Sequence, residues 1–278
     1  MILHYNHSMK IAFIGDIVGR PGRKIINENL SKLRDEFNID FVIANGENAS
    51  HGFGLTVKNA DELFRYGIDI ITGGNHTWDK KQDMLTLLET KPVIRPDNYP
   101  DGVAGSGLKI VEIQDKKVAI INLMGLGNMP QVLNPFTHAI ELVETLKSDG
   151  IDHIIIDFHA EFTAEKRIMM KLLEGKVSAI CGTHTHIGTD DLEVTNGTFY
   201  VTDTGMTGCR DNVIGMDKKV PCHKALTGIG GHFDVPNKCK SVMQIIIIDI
   251  DNKGMATEAT KLKLYNDNPR VQSLAIIN

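Results

Sequence analysis

The chain has 278 residues, of which 42% are hydrophobic and 23% are charged. This length and composition exclude a disordered chain and predict a folded protein of enzyme size with a large core. The formal net charge of −5 excludes the broad basic surface that holds long nucleic acids, whereas a small phosphate ester could still bind where metal ions supply positive charge.

Short segments rich in Ile and Val alternate with longer amphipathic segments, a pattern that is typical of strands interleaved with helices. In the first half of the chain, strands are predicted at 10–14, 40–44, 69–72, 108–113 and 117–123. Helices are predicted between them at 21–37, 56–66, 79–89 and 137–149.

The second half contains more predicted strands than helices. Strands are predicted at 154–158, 177–181, 241–250 and 257–264, with a hairpin around Asn196-Gly197 and a single helix at 164–174. The Gly-rich segment 205–231 is predicted to form long ordered loops. Together these elements predict a layered α/β core in which sheets pack on each other and helices flank them. We expect one domain over 10–278, preceded by an N-terminal arm at 1–9.

The four cysteines form no CxxC pair, and a chain of this size does not need disulfide bonds to fold. We therefore expect reduced cysteines and a reducing compartment. The N-terminus lacks the apolar segment of a secretory signal, and the longest apolar run, at 242–250, is too short to span a bilayer. These features predict a cytoplasmic protein without a membrane partner.

Potential metal ligands follow five of the predicted strands. Because the carboxyl ends of parallel strands gather the binding sites of α/β sheets, we expect these side chains to converge on one place. The predicted ligands are Asp16, Glu47, Asn48, Asn75, His159, His184 and His186.

Hydrolysis of a phosphoester by two metal ions needs a bridging carboxylate and further ligands on each side. We assign Asp16 to the first ion, Glu47 to the bridge, and Asn75 with His159 to the second ion. The two histidines of the His-x-His pair would divide between the ions, and Asn48 would be a further ligand or a donor to phosphate. Taken singly, Asp16 could cap a turn, Asn75 could occupy a turn, and His159 could be a hydrogen-bonded core residue.

His76 directly follows Asn75 and must therefore lie close to any substrate at the metal site. We predict that His76 protonates the leaving oxygen or stabilises the transition state electrostatically. The alternative is that it only hydrogen-bonds a carboxylate such as Asp79. Such a contact is compatible with the acid role.

The order of these motifs resembles that of the calcineurin-like metallophosphoesterases. The segments 14–23, 45–49, 74–79 and 202–208 resemble the bacterial YmdB-type phosphodiesterases more closely. Two positions depart from the broader superfamily, in which a histidine usually stands in place of Val18 and an aspartate in place of Glu47. Both departures match the YmdB-type pattern, and they imply that the first metal site recruits another ligand, for which Asn48 is the nearest candidate.

The resemblance implies a four-layer α/β-β/α sandwich, a homo-oligomer, and a pair of iron or manganese ions in each chain. Mixed nitrogen and oxygen sites also accept zinc. The implied substrates are small cyclic nucleotides, with 2',3'-cyclic AMP or GMP favoured, attacked by a hydroxide that both metals hold. Two alternatives stay open: a phosphomonoesterase or nucleotidase, and a regulatory protein that binds metal and nucleotide with incidental hydrolysis.

Overall fold

The computed structural model describes residues 8–266 and 270–278, which form two sheets with helices on their outer faces. Most of the predicted arm, residues 1–7, lies outside the described residues. Met9, the last residue of that arm, is already the first residue of a strand.

The strands are β1 (Met9–Ile14), β2 (Phe41–Asn45), β3 (Ile70–Thr72), β4 (Leu108–Ile113), β5 (Lys116–Met124), β6 (His153–His159), β7 (Ala179–Thr183), β8 (Glu193–Thr195), β9 (Thr198–Val201), β10 (Gly208–Cys209), β11 (Ser241–Ile250), β12 (Ala256–Tyr265), β13 (Val271–Leu274) and β14 (Ile276–Ile277). The helices are α1 (Gly19–Phe37), α2 (Val57–Arg65), α3 (Lys81–Thr90), α4 (Pro135–Ser148), α5 (Thr163–Leu173) and α6 (Lys219–Thr227).

The first sheet has the strand order β13-β12-β11-β1-β2-β3, and β10 pairs with β11 beside this path. Strands β1, β2 and β3 are parallel, with Ala12 opposite Val42 and Ile43 opposite Ile70. Their carboxyl ends therefore lie at the same edge of the sheet, and the loops that follow them share that edge.

The second sheet has the order β14-β8-β9-β7-β6-β5-β4. Strands β5, β6, β7 and β9 are parallel, and the register places His159, at the end of β6, beside Thr183, at the end of β7. This sheet therefore also gathers the ends of its central strands at one edge.

Three apolar cores hold the layers together. One core packs α1, α2 and α3 on the first sheet, through residues such as Leu30 and Leu63, and another packs α4 and α5 on the second sheet. The third lies between the sheets, where Phe13 and Ile246 meet Ile120 and Phe199. The layers thus run helix, sheet, sheet, helix, and the predicted four-layer α/β-β/α sandwich is confirmed.

The prediction of loops alone over 205–231 was wrong, because this segment contains β10 and α6. Helix α6 has no buried residue, so it lacks the apolar face that makes a helix visible in a sequence. The short strands β13 and β14 were also missed, since all six of their residues are exposed. Among the described residues, no helix is both long and apolar enough to cross a membrane.

The expectation of unpaired cysteines was wrong as well. Cys209 and Cys239 form a disulfide bond, while Cys181 is free and buried and Cys222 is free and exposed. The pairing follows from the sheet, because Cys209 lies opposite Ser241 in the β10–β11 ladder, two residues from Cys239. Sequence spacing could not show this contact, which joins residues 30 positions apart.

Candidate metal and phosphoester site

All seven predicted ligands lie at the edge where the two sheets end. Asp16 follows β1, Glu47 and Asn48 follow β2, and Asn75 follows β3. From the second sheet, His159 is the last residue of β6, and His184 and His186 follow β7. The structure therefore brings together side chains from five separate segments.

His159 lies at the centre of one group of ligand atoms. Its Nε2 atom is 2.8 Å from Oδ1 of Asn75, 3.1 Å from Nδ1 of His184 and 3.3 Å from Oε1 of Glu47. One ligand atom each from Glu47, His159 and His184 lies within 4.8 Å of the others. This group can hold a metal ion.

Asp16 joins a neighbouring group. Its Oδ1 atom is 3.9 Å from Nε2 of His186 and 3.9 Å from Nδ1 of His159. The Nε2 atom of His186 is in turn 3.1 Å from Oδ1 of Asn48. Asn48 therefore lies beside His186, where it could serve as the additional ligand that the sequence suggested. Val18 lies in an apolar cluster with Met206 and Met216.

The donor set fits metal ions of the transition series. It consists of carboxylate, amide and imidazole groups without a thiolate, and such mixed sites accept iron, manganese or zinc. Asp16 and His159 are fully buried and Glu47 is 1% exposed, so two carboxylates lie together away from water. Buried carboxylates need positive charge nearby, which metal ions would supply.

The ionisable groups of the site shift one another's pKa values. Burial raises the pKa of Asp16. Burial also opposes ionisation of Glu47, but the charge and hydrogen bond of His159 outweigh it and lower the pKa of Glu47 to about 2. Burial disfavours a charged His159, yet Glu47 and Asp16 raise its pKa to about 9. Burial and the neighbouring His159 lower the pKa of His184 to about 3, which leaves its imidazole neutral, as a metal ligand must be.

The backbone at the site is held in unusual conformations. His184 and His186 have φ angles of 101° and 65°, in the left-handed region that residues other than glycine seldom adopt. Position 74 requires glycine because of space. A Cβ atom on Gly74 would lie 2.3 Å from Oε2 of Glu47 and 2.5 Å from Nε2 of His159. Only glycine lets the loop after β3 pass this close to the ligands.

Residues that sequence reasoning did not assign orient the ligands. Thr183 donates its hydroxyl proton to Oδ1 of Asp157 over 2.6 Å, and its oxygen lies 3.0 Å from Nδ1 of His159. This chain holds a proton on Nδ1 of His159, so Nε2 is the nitrogen that would bind a metal ion after losing its own proton. On His184, Nε2 is 2.9 Å from Oε2 of Glu161. The only sequence signal for these partners is an aspartate inside the apolar strand β6.

A buried ion pair supports the loop between the two ligand histidines. Lys166 and Asp203 are fully buried, and Nζ of Lys166 donates to Oδ2 of Asp203 over 2.8 Å. The same oxygen accepts the backbone N–H of Thr185 at 3.1 Å and its hydroxyl at 2.8 Å. Asp203 belongs to a motif noted in the sequence, whereas nothing in the sequence distinguishes Lys166 from a solvated lysine.

His76 lies beside the ligand groups and is partly exposed. Its backbone N–H donates to Oε2 of Glu47 over 2.9 Å, and its Nδ1 atom is 2.8 Å from Oδ2 of Asp79. The contact with Asp79 was anticipated. It orients the ring and leaves Nε2 for another partner.

A cavity of about 240 Å³ opens over the site. Its polar lining consists of Glu47, Asn48, His76, His184 and His186. Its apolar lining consists of Phe53, Val213, Ile214, Met216, Pro221 and Phe233. A ligand in this cavity would contact both the predicted metal ligands and a hydrocarbon surface.

Known proteins share both the sequence and the fold. A 2',3'-cyclic-nucleotide 2'-phosphodiesterase from Bacillus subtilis strain 168 is 40% identical over 261 residues, which is 94% of this chain and 98% of the relative. A crystal structure described as a novel phosphatase from Mycoplasma pneumoniae is 36% identical, with a TM-score of 0.88 over 94% of this chain and 95% of that one.

A more distant structure supports the fold alone. The 5'-nucleotidase precursor from Thermus thermophilus is 12% identical, and its TM-score is 0.56 over 97% of this chain and 54% of that one. The sequence profile of the YmdB-like proteins matches residues 12–262, which is most of the chain. The chain therefore belongs to the YmdB-like family, and the resemblance seen in its motifs is confirmed.

Proposed function

We propose that this protein is a metal-dependent phosphodiesterase that opens 2',3'-cyclic nucleotides, including cyclic AMP and cyclic GMP, to nucleoside monophosphates. The observation that carries the proposal is the convergence of Asp16, Glu47, His159, His184 and His186 at one edge of the sheets, where Glu47, His184 and His186 line a cavity together with His76. The named activity of the Bacillus subtilis relative, which is 40% identical, supports the choice of substrate.

In this proposal the site holds two metal ions, with iron or manganese favoured over zinc. Asp16, Asn48 and His186 would hold the first, Asn75 and His159 the second, and Glu47 would bridge them, with His184 beside His159. Bound there, the ions would supply positive charge to the phosphoryl oxygens and increase the acidity of the attacking water. The protein's own task is to hold these ligands in place around the ions.

His76 would donate the proton that the leaving oxygen needs. In a 2',3'-cyclic nucleotide, addition of water to phosphorus breaks the bond to the 2' oxygen, which leaves as an alkoxide and must be protonated. Asp79 holds Nδ1 of His76, so Nε2 is the atom that would carry this proton.

The buried network behind the site would fix the orientations of the ligand imidazoles. Thr183 and Asp157 direct Nε2 of His159 toward the ligand group. The carbonyl of Ile214 lies 2.7 Å from Nδ1 of His186 and directs Nε2 of that ring toward Asp16 and Asn48. Each ring thus points the nitrogen that would bind a metal ion toward the other predicted ligands.

The test is hydrolysis by the purified, metal-loaded protein of 2',3'-cyclic AMP, 3',5'-cyclic AMP and p-nitrophenyl phosphate. We expect the 2',3'-cyclic diester to be the best substrate by kcat/KM. A preference for the monoester would instead establish a phosphatase. His76→Ala should keep its metal and lose turnover, and full turnover in this variant would exclude the acid role.

The regulatory alternative is tested in cells with the same variant. If His76→Ala keeps its metal, loses turnover and still restores the phenotype of a deletion strain, the cellular role is binding. Parallel loss of turnover and phenotype supports catalysis. The cytoplasmic location and the homo-oligomer stay predictions.

A further inference from the structure

One segment of the chain builds most of the apolar side of the cavity. We call residues 210–238, between the two disulfide-bonded cysteines, the strap. The strap contributes Val213, Ile214, Met216, Pro221 and Phe233 to the cavity wall, and Phe53 comes from the loop after β2. The metal ligands and the wall are therefore built by different parts of the fold.

The strap is fixed at both ends and in its middle. The Cys209–Cys239 disulfide and the β10–β11 pairing join its ends. Its carbonyl at Ile214 is 2.7 Å from Nδ1 of His186, and the backbone N–H of Asp217 donates to the carbonyl of Asp234 over 2.7 Å. These contacts hold the wall at a defined position relative to the ligand histidines.

The wall carries aromatic rings close to the reacting groups. The ring of Phe53 contacts the ring of His76 edge-to-face, with 5.0 Å between their centroids. Phe53 and Phe233 are both half-buried, and both pack on the cluster of Val18, Met206 and Met216. They therefore retain surface that a ligand in the cavity can cover.

The chemistry of the wall selects one part of a nucleotide. None of the six wall side chains has a hydrogen-bond donor, and their one acceptor is the weak thioether sulfur of Met216, so these side chains offer nothing to the phosphate and little to the ribose hydroxyls. A nucleobase presents a flat π face that gains from contact with aromatic and aliphatic carbon. When the phosphate lies at the metal ligands, the base is the group that remains for the wall.

We infer that Phe53 and Phe233, supported by the strap, form a base-binding subsite that recognises the face of a nucleobase and not its hydrogen-bonding edge. The inference rests on the proposed hydrolysis of 2',3'-cyclic nucleotides. It predicts that adenine and guanine substrates have similar KM values. It also predicts higher KM values for pyrimidine substrates, because smaller bases cover less of the wall.

The experiment compares 2',3'-cyclic AMP with ethylene phosphate, a five-membered cyclic diester that has neither ribose nor base. For Phe233→Ala, we expect the ratio of kcat/KM for the nucleotide to that for ethylene phosphate to fall by about 10-fold, the loss typical of one base–aromatic contact. Phe233→Tyr should restore the ratio. Leu226→Ala, on the same strap at a residue that is 86% exposed, is the matched control and should leave both rates unchanged.

Equal losses on the two substrates in Phe233→Ala would overturn the inference and leave the proposed activity intact. If Phe233→Ala does not fold, Phe233→Leu keeps the apolar volume without the ring, and an unchanged ratio in that variant would overturn the inference in the same way. Failure of the wild-type protein on 2',3'-cyclic AMP would remove the proposed activity itself, and the inference with it.

Discussion

The two sides of the cavity are built in contrasting ways. The metal side consists of side chains at the ends of parallel strands, where Asp16 and His159 are fully buried and their neighbours are fixed by sheet hydrogen bonds. The wall side belongs to the strap, whose helix α6 has no buried residue. If the proposed function holds, the reaction chemistry lies on the buried core, and the contacts to the variable part of a substrate lie on a segment held by a few specific bonds.

The largest expected effect is on the metal side. His159→Ala removes the imidazole that contacts Glu47, Asn75 and His184. We expect metal content to fall and kcat/KM to drop about 10⁴-fold, since bound metal contributes several kcal/mol to such reactions. Elemental analysis and kinetics measure both effects. Full metal content with normal turnover would show that the ligand assignment is wrong.

Lys166→Met leaves the buried carboxylate of Asp203 without its cation. We expect the free energy of unfolding to fall by about 3–5 kcal/mol, because a lone buried charge is strongly destabilising. Lys166→Met combined with Asp203→Asn should recover part of the loss in urea unfolding. If Asp203→Asn lowers the free energy of unfolding by the same amount in the Lys166→Met variant as in the wild type, the two groups are not coupled.

Removal of the disulfide tests the strap directly. The bond closes a separation of 30 residues, for which chain-entropy models give about 3–4 kcal/mol of stabilisation. We expect Cys209→Ser with Cys239→Ser to lower the unfolding free energy by up to this amount and to raise KM more than it lowers kcat. Cys222→Ser is the control, since this free cysteine is exposed. Four reactive thiols in the unfolded, unreduced protein would exclude the bond.

The smallest expected effect on stability concerns an ion pair that includes none of the predicted ligands. His138 Nε2 lies 2.8 Å from Asp97 Oδ2, and this hydrogen bond raises the pKa of His138. Burial opposes ionisation of Asp97, but the hydrogen bond from His138 outweighs it and lowers the pKa of Asp97.

The signs of these shifts define a pH window. The contribution of Asp97 to stability is present above its ordinary pKa near 3.8 and is lost as the pH falls through its lowered pKa. The contribution of His138 to stability is complete below its ordinary pKa near 6.5 and is lost as the pH rises through its raised pKa. His138→Gln should therefore lower stability by less than about 1 kcal/mol between those two pH values, and by less once the pH has risen through the raised pKa of His138. Thermal unfolding across pH measures this, and a constant difference at all pH values would contradict it.

Much of the metal side could be predicted from the sequence. A charged or imidazole side chain directly after an Ile- and Val-rich segment is visible without a structure, and Asp16, Glu47 and His159 all have this setting. The parallel register then brings them to one edge. The sandwich followed from the same alternation of strands and helices together with the motif resemblance.

The rest depends on tertiary contacts that leave no local pattern. The left-handed backbone of His184 and His186 requires the Lys166–Asp203 support and the carbonyl of Ile214, none of which is near them in sequence. Helix α6 and the last two strands are exposed, so apolar periodicity could not reveal them. The disulfide depends on the β10–β11 register.

The most direct test of the central claim is metal content and turnover measured on the same samples of wild-type protein and Glu47→Gln. Our account predicts two transition-metal ions per chain and hydrolysis of 2',3'-cyclic AMP in the wild type, with both reduced in the variant. Two bound metals and full turnover in Glu47→Gln, or a wild-type protein that hydrolyses the nucleotide without metal, would contradict it.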